Sequence, residues 1–270
     1  MGSMQLKVAQ ELSEPGGQVN EDLIWHGGND FMVLDGASSL TPGSHHDAVG
    51  FVRAFTESYA VCARADKPLH TCVNESLDTL RERFDPARYE QGIGPSASLA
   101  VVRCHNGWME LLLLGDCTAL ILSTDGRTER TYLNEVARFD AIALDMAARI
   151  HEETGLPIRE TIHNPLVHEQ LVANRHMMNQ PAGYRILSAT TKPLTSTDVM
   201  SISLDGLAGI ILHSDGFDNM EDDLTRQPID LGRSYRMLRE LERTDADLNR
   251  YPRFKIGDDA TALYLEVVPA

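Results

Sequence analysis

Three widely separated apolar runs in this chain each carry an aspartate at one end. Gly209-Ile210-Ile211-Leu212-His213-Ser214 runs into Asp215-Gly216, and Phe31-Met32-Val33-Leu34 runs into Asp35-Gly36. Near the C-terminus the order reverses, with Asp258-Asp259 opening the run from Ala260 to Val268. Short apolar runs bounded by glycines read as buried strands. Three such strands bring their carboxylates to the rim of a sheet, where they repel unless a cation sits between them. Oxygen donors of this kind suit hard divalent metals.

The chain has 270 residues and a formal net charge of −16. That charge argues against a nucleic acid or an anionic membrane as partner, because phosphate needs a basic face. Cys62, Cys72, Cys104 and Cys117 form no C-x-x-C pair, so a zinc or redox motif is unsupported, and free thiols fit a cytoplasmic protein. No apolar run reaches the length of a membrane span. Met1-Gly2-Ser3 reads as a cloning scar, leaving one expected domain over residues 4–270.

Gln5 to Ala9 alternates like a strand. Asp22 to Trp25 and the run ending at Asp35 form a hairpin through Gly27-Gly28-Asn29-Asp30. Ser44 is a plausible N-cap for a helix with Val49, Val52, Phe55, Tyr59 and Cys62 at helical spacing. Val73, Leu77, Leu80 and Phe84 mark a second helix. Asn106-Gly107 joins the runs 97–104 and 108–114 in a type I′ hairpin. With 117–123 and 128–133, these runs read as a four-strand antiparallel meander. Residues 137–179 are helical in pattern, interrupted at Pro157 and Pro165. Runs 199–204 and 210–214 read as a further hairpin, and 231–248 as a charged surface helix. The expected class is α+β, with helices covering antiparallel sheets.

Four Asp-Gly pairs occur. Asp125-Gly126 and Asp205-Gly206 lie between strand-like runs and read as turns. Asp35-Gly36 and Asp215-Gly216 follow strands but lead into loops or helices. Glu21 lies one hairpin arm before Asp35 and reaches the same end of the sheet.

Six motifs in order carry a resemblance: Asn20-Glu21-Asp22, Phe31 to Gly36, Gly94-Pro95-Ser96-Ala97-Ser98, Leu114-Gly115-Asp116-Cys117-Thr118-Ala119, Ile211 to Gly216, and Gly257-Asp258-Asp259-Ala260-Thr261. Together they resemble the metal-dependent protein phosphatases, the protein phosphatase 2C or PPM family, from about residue 7 to 268. The resemblance implies a four-layer αββα sandwich with two Mn²⁺ or Mg²⁺ ions at one end. It implies that Glu21, Asp35 and the Gly36 carbonyl hold one ion, and that Asp35, Asp215 and Asp258 hold the other. Asp22 would then orient a metal-bound water, and Asp116 with Asp215 would hold a third, weaker ion. The implied reaction is attack of a metal-bridging hydroxide on a phosphoserine or phosphothreonine. The substrate would be a phosphoprotein, with a Ser/Thr kinase acting in opposition. Residues 164–191 match the family's variable flap.

Two departures stand out. Gly17 occupies the position where many members carry a phosphate-gripping Arg. Ala37 replaces a His common in eukaryotic members, which points to the bacterial branch. Ser38, Ser39, His45 and His46 are the nearby substitutes for substrate binding. The alternative is a catalytically silent, metal-binding regulatory module of the same fold.

Overall fold

The computed structural model describes residues 4–40, 46–89, 93–133, 135–245, 254–255 and 257–270. Two antiparallel sheets stack face to face. One has the order β1 (Met4–Glu14), β11 (Ala260–Pro269), β10 (Leu207–His213), β6 (Thr118–Ser123), β7 (Thr128–Thr131). The other has the order β2 (Leu23–Gly27), β3 (Asp30–Ala37), β4 (Ser96–His105), β5 (Trp108–Leu114), β9 (Val199–Ser203), with the two-residue β8 (Leu187–Ser188) also on β4.

The apolar runs lack alternation because both faces of each central strand are covered. Along β3, Phe31 and Val33 enter the core between the sheets, where Ile210, Leu212, Leu263 and Leu265 meet them. Met32 and Leu34 point the other way, onto helices α1 (Asp47–Cys62) and α2 (Leu69–Asp78). On the second sheet Ile211, Ala262 and Tyr264 face outward against Leu231 and Leu238 of α7 (Leu231–Thr244). Helix, sheet, sheet and helix make the four expected layers. The helices α3 (Ala137–Thr154), α4 (Ile158–Thr161) and α5 (Pro165–His176) form a further group between β7 and β8. Pro157 and Pro165 do not merely interrupt that group. They stand at the starts of α4 and α5, where a missing N–H costs nothing.

Several expectations need correction. The four-strand meander does not form. β4 and β5 pair through Asn106-Gly107, both at positive φ, but β6 and β7 belong to the opposite sheet. The 199–204 and 210–214 runs are likewise not a hairpin. β9 pairs with β5, whereas β10 pairs with β6 and β11. A turn signal looks the same whether the chain folds back on its neighbour or crosses to another sheet; long-range pairing makes that choice. The second helix stops at Asp78, and Leu80 and Phe84 are buried beyond its end. The first helix buries Ala48, Phe51, Val52, Phe55 and Tyr59, leaving Val49 and Cys62 at the margin. Ser44, its expected cap, lies outside the described residues, as do His45 and the last part of the 231–248 segment.

One buried ion pair went unread in the sequence. Asp30, at the start of β3, accepts from Arg103 Nε and Nη2 at 2.7 Å each and from the Tyr59 hydroxyl at 2.8 Å. Both charged side chains are only 6% exposed. The pair ties the hairpin start to β4 and α1. Removing one partner leaves the other charge buried and uncompensated. Asp30→Ala is expected to lower stability by about 3–5 kcal/mol, read as the loss in urea-unfolding free energy.

Candidate metal centre

The carboxylates converge because strand ends and sheet crossings place them there. Asp35 lies near the end of β3, directly across from Ser98 of β4. The Ser98 hydroxyl donates to Asp116 Oδ1 at 2.5 Å and accepts from the Asp116 N–H at 3.2 Å. Asp116 sits on the corner where the chain leaves β5 for β6. That corner needs Gly115, whose φ is +75° and where a Cβ would stand 2.2 Å from Ser98 Oγ. The unexpected sheet crossing is therefore what delivers Asp116.

Asp215 follows β10. Ser214 N–H donates to the Thr261 carbonyl, and Thr261 N–H to Ser214 Oγ, both at 3.0 Å. These bonds carry the β10–β11 pairing past the strand end and set Asp215 near Asp258. Glu21 comes from the loop before β2. Its N–H donates to Asp259 Oδ2 at 2.7 Å, and Gly16 N–H to Asp259 Oδ1 at 2.8 Å. Gly36 lies against the same segment, where a Cβ would meet the Glu21 carbonyl oxygen at 2.4 Å.

Two positioning residues were not singled out in the sequence. Asp259 pins the Glu21 loop. Arg239 on α7 donates to the Asp258 carbonyl at 2.9 Å and to the Pro15 carbonyl at 3.3 Å. The Asp-Asp doublet hinted at the first. Nothing in a charged helix marks the second.

The other candidates divide. Ser38 donates its hydroxyl to Glu21 Oε1, and His46 Nδ1 lies 3.5 Å from the same oxygen. Ser39 turns away, its N–H and hydroxyl bonding the Asp47 carboxylate at 2.9 and 2.7 Å. Lys255 brings its ammonium 2.7 Å from Asp258 Oδ1 while its side chain stays 65% exposed. Arg175 of α5 bonds Ser96 Oγ at 3.0 Å, and its charge offsets in part the burial that raises the Asp116 carboxyl above its ordinary range.

Electrostatics follow from the crowding. Desolvation and then the charges of Asp22, Asp215, Asp116 and Asp258 push the Asp35 carboxyl well above the ordinary range. Asp215 moves the same way by desolvation and then Asp258 and Asp116, although its outer edge is exposed. Its carboxyl is in hydrogen-bond contact with Asp35. Burial raises Asp22 to about 7, against the lowering effect of the Ser214 and Thr261 hydroxyls. Asp22 Oδ2 is buried with no hydrogen-bond partner. Carboxylates on five separate segments, joined by a backbone carbonyl and an orphaned oxygen, suit hard divalent ions. They are spread more widely than ligands on one ion. Among the described residues, only His213, Asp218 and Glu221 bring three ligand atoms within 4.8 Å of one another.

No protein-family model matches the chain, and no curated protein matches it in sequence. Solved structures do match in fold. The catalytic domain of the serine/threonine phosphatase PstP, in complex with two manganese ions, is 18% identical, with a TM-score of 0.60 over 98% of this chain and 100% of that one. PppA of Pseudomonas aeruginosa, described as a key regulatory component of T6SS, is 16% identical, with a TM-score of 0.60 over 99% and 100%. The PPM Ser-Thr phosphatase MsPP of Mycobacterium smegmatis, in complex with cacodylate, is 15% identical, with a TM-score of 0.51 over 98% and 99%. The chain thus has the fold of the bacterial PPM-type Ser/Thr phosphatases.

Proposed function

We propose that residues 4–270 form one divalent-metal-dependent phosphoprotein phosphatase domain acting on phosphoserine and phosphothreonine. The observation that carries this reading is the crowding of Asp22, Asp35, Asp116, Asp215 and Asp258 from five distant segments. Glu21, Asp35 and the Gly36 carbonyl hold one Mn²⁺ or Mg²⁺ ion. Asp35, Asp215 and Asp258 hold a second, and Asp116 with Asp215 a weaker third. Bound divalent ions supply an acidified water near neutral pH and neutralise phosphoryl charge.

The chain's own residues do the rest. Asp22 holds and orients water beside the Asp35 carboxyl. Ser38 and His46 fix the Glu21 carboxylate; Asp259 and Arg239 fix the loops around it. Lys255 gives the rim an ammonium that meets the substrate phosphate, a contact Gly17 lacks the side chain to make. Ser39 acts on the phosphate only by shaping the loop through Asp47. The free thiols fit a reducing cytoplasm. The phosphorylated partner is a protein that a Ser/Thr kinase modifies.

A silent metal-binding module is the second reading, favoured by Gly17. The space around that position is open, with nothing within 4 Å of an added Cβ. Hydrolysis of an aryl phosphate and a phosphothreonine peptide with Mn²⁺, Mg²⁺ or EDTA separates the two. Metal-dependent turnover of both supports the phosphatase. Tight metal binding without turnover supports the silent module, with Gly17→Arg as the variant that restores activity.

Three outcomes are expected. Asp35→Asn abolishes turnover and calorimetric metal binding at the paired site while circular dichroism stays native; near wild-type turnover would sink the bridging role. Lys255→Ala raises KM for the phosphopeptide several-fold with kcat little changed, because it removes a ground-state contact to phosphate. The third concerns pH. Asp22 is raised to about 7 in the fold, so the metal-free folded protein holds a proton that the unfolded chain releases near its ordinary value. That contribution to stability is fully present below the unfolded pKa and is lost as pH rises through about 7. Tm of the EDTA-treated protein should fall across that window, and Asp22→Asn should flatten the slope. A wild-type slope no steeper than the variant's contradicts the assignment.

A further inference from the structure

Just past the strand that delivers Asp215, a second group of metal-ligating side chains faces inward. His213, the last residue of β10, is completely buried. Its Nδ1 lies 2.9 Å from the Ser214 carbonyl oxygen. A carbonyl only accepts, so Nδ1 carries the hydrogen and the neutral ring presents a bare lone pair at Nε2. That nitrogen is buried and has no hydrogen-bond partner. It points toward Glu221 Oε1, 3.8 Å away. Asp218 Oδ1 completes the group, and all three atoms lie within 4.8 Å of one another.

Each of the three atoms is an acceptor. Asp218 Oδ1 and Glu221 Oε1 are also buried without a well-formed hydrogen bond. Three buried acceptors turned toward one point call for a donor or a cation among them. Ligand bonds of about 2.1 Å, opened to ordinary coordination angles, set neighbouring ligand atoms roughly 3–4 Å apart; His213 Nε2 and Glu221 Oε1 stand 3.8 Å apart, and the three groups meet within 4.8 Å. The Ser214 carbonyl plays the part that backbone oxygens take behind metal-bound imidazoles, fixing tautomer and ring orientation.

One cation already stands nearby. Arg130, on edge strand β7, brings Nε 2.5 Å from Glu221 Oε1 and a terminal nitrogen 3.6 Å from Asp218 Oδ1. It approaches from the solvent side. Its guanidinium lies 3.8 Å over the Tyr132 ring, and its side chain is 33% exposed. It neutralises the carboxylates in part and leaves His213 Nε2 bare.

We propose that His213, Asp218 and Glu221 form a separate binding site for a first-row transition-metal dication, with Arg130 as the gate that occupies its outer side. One imidazole and two carboxylates favour Zn²⁺, Mn²⁺ or Fe²⁺ over Mg²⁺ and Ca²⁺, which take oxygen alone. The site lies on the turn between β10 and α6 (Glu221–Leu224), the same turn that carries Asp215. An ion there stiffens that turn and sets where Asp215 stands. The inference does not depend on phosphatase activity.

The test uses Zn²⁺ titration by competition with a chromophoric chelator, and Co²⁺ absorption as a report on nitrogen–oxygen coordination. Both are run on the full chain carrying Asp35→Asn and Asp116→Asn, which together disable the neighbouring acidic group. One equivalent of Zn²⁺ is expected to remain. Adding Glu221→Gln should weaken it at least 10–100-fold, the scale of disturbing a metal's surroundings. Adding Arg130→Ala should tighten it several-fold. His213→Gln alters a wholly buried residue and risks the fold, so Glu221→Gln, at a partly exposed carboxylate, is the deciding variant. The Nε2 resonance of His213 should shift on Zn²⁺ addition. Residual binding that Glu221→Gln leaves unchanged, or no residual binding at all, overturns the site. Glu221-dependent binding, alongside a wild-type chain that shows no phosphatase turnover, would retain this site and reject the other reading.

Discussion

The burial of several carboxylates at one rim is the constraint on which the structure turns. Burial first, and then the charges of neighbouring carboxylates, raise Asp22 to about 7 and push Asp35 and Asp215 up as well. No fold collects such a group at one rim without holding it firmly. Here the holding is done by backbone: strand pairing across from Asp35, continued pairing past Ser214, and the close approach at Gly36. The scaffold is apolar and doubly buried, so it can spend stability on an arrangement that works against itself until cations arrive.

That scaffold explains why helices cover both outer faces. A sheet whose central strands are apolar on both sides cannot leave either side wet. The inter-sheet core takes Val33 and Leu212, while α1 and α7 take Leu34 and Ile211. The same helices then reach the site. α7 sends Arg239 to the Asp258 and Pro15 carbonyls, and α5 sends Arg175 to Ser96. Packing elements and positioning elements are the same pieces of chain.

The resemblance in sequence and the likeness in fold point to the same fold. The surroundings of the acidic residues carry two features of their own. Gly17 leaves open space where a phosphate-gripping side chain is expected, and Lys255 stands against Asp258. The turn after Asp215 carries its own donors at His213, Asp218 and Glu221. A general likeness at 15–18% identity says nothing about either.

Much of the layout was legible in order and pattern. The apolar runs, the Asn106-Gly107 turn and the strand-end aspartates are local signals, and local geometry enforces them. Which strand pairs with which was not legible. The crossings from β5 to β6 and from β9 to β10 look like hairpins in sequence, because a glycine at positive φ serves either outcome. The site's supports were equally silent: Asp259 reading as one more acid, Arg239 as one more surface charge, and Asp30 with Arg103 as residues with no visible relation. Sequence by itself determined which segments form strands and which strand ends carry carboxylates, since both follow from side-chain type and short-range periodicity. Tertiary structure alone decided how the carboxylates meet and what holds them, because contacts between residues far apart in the chain depend on sheet choice and helix docking.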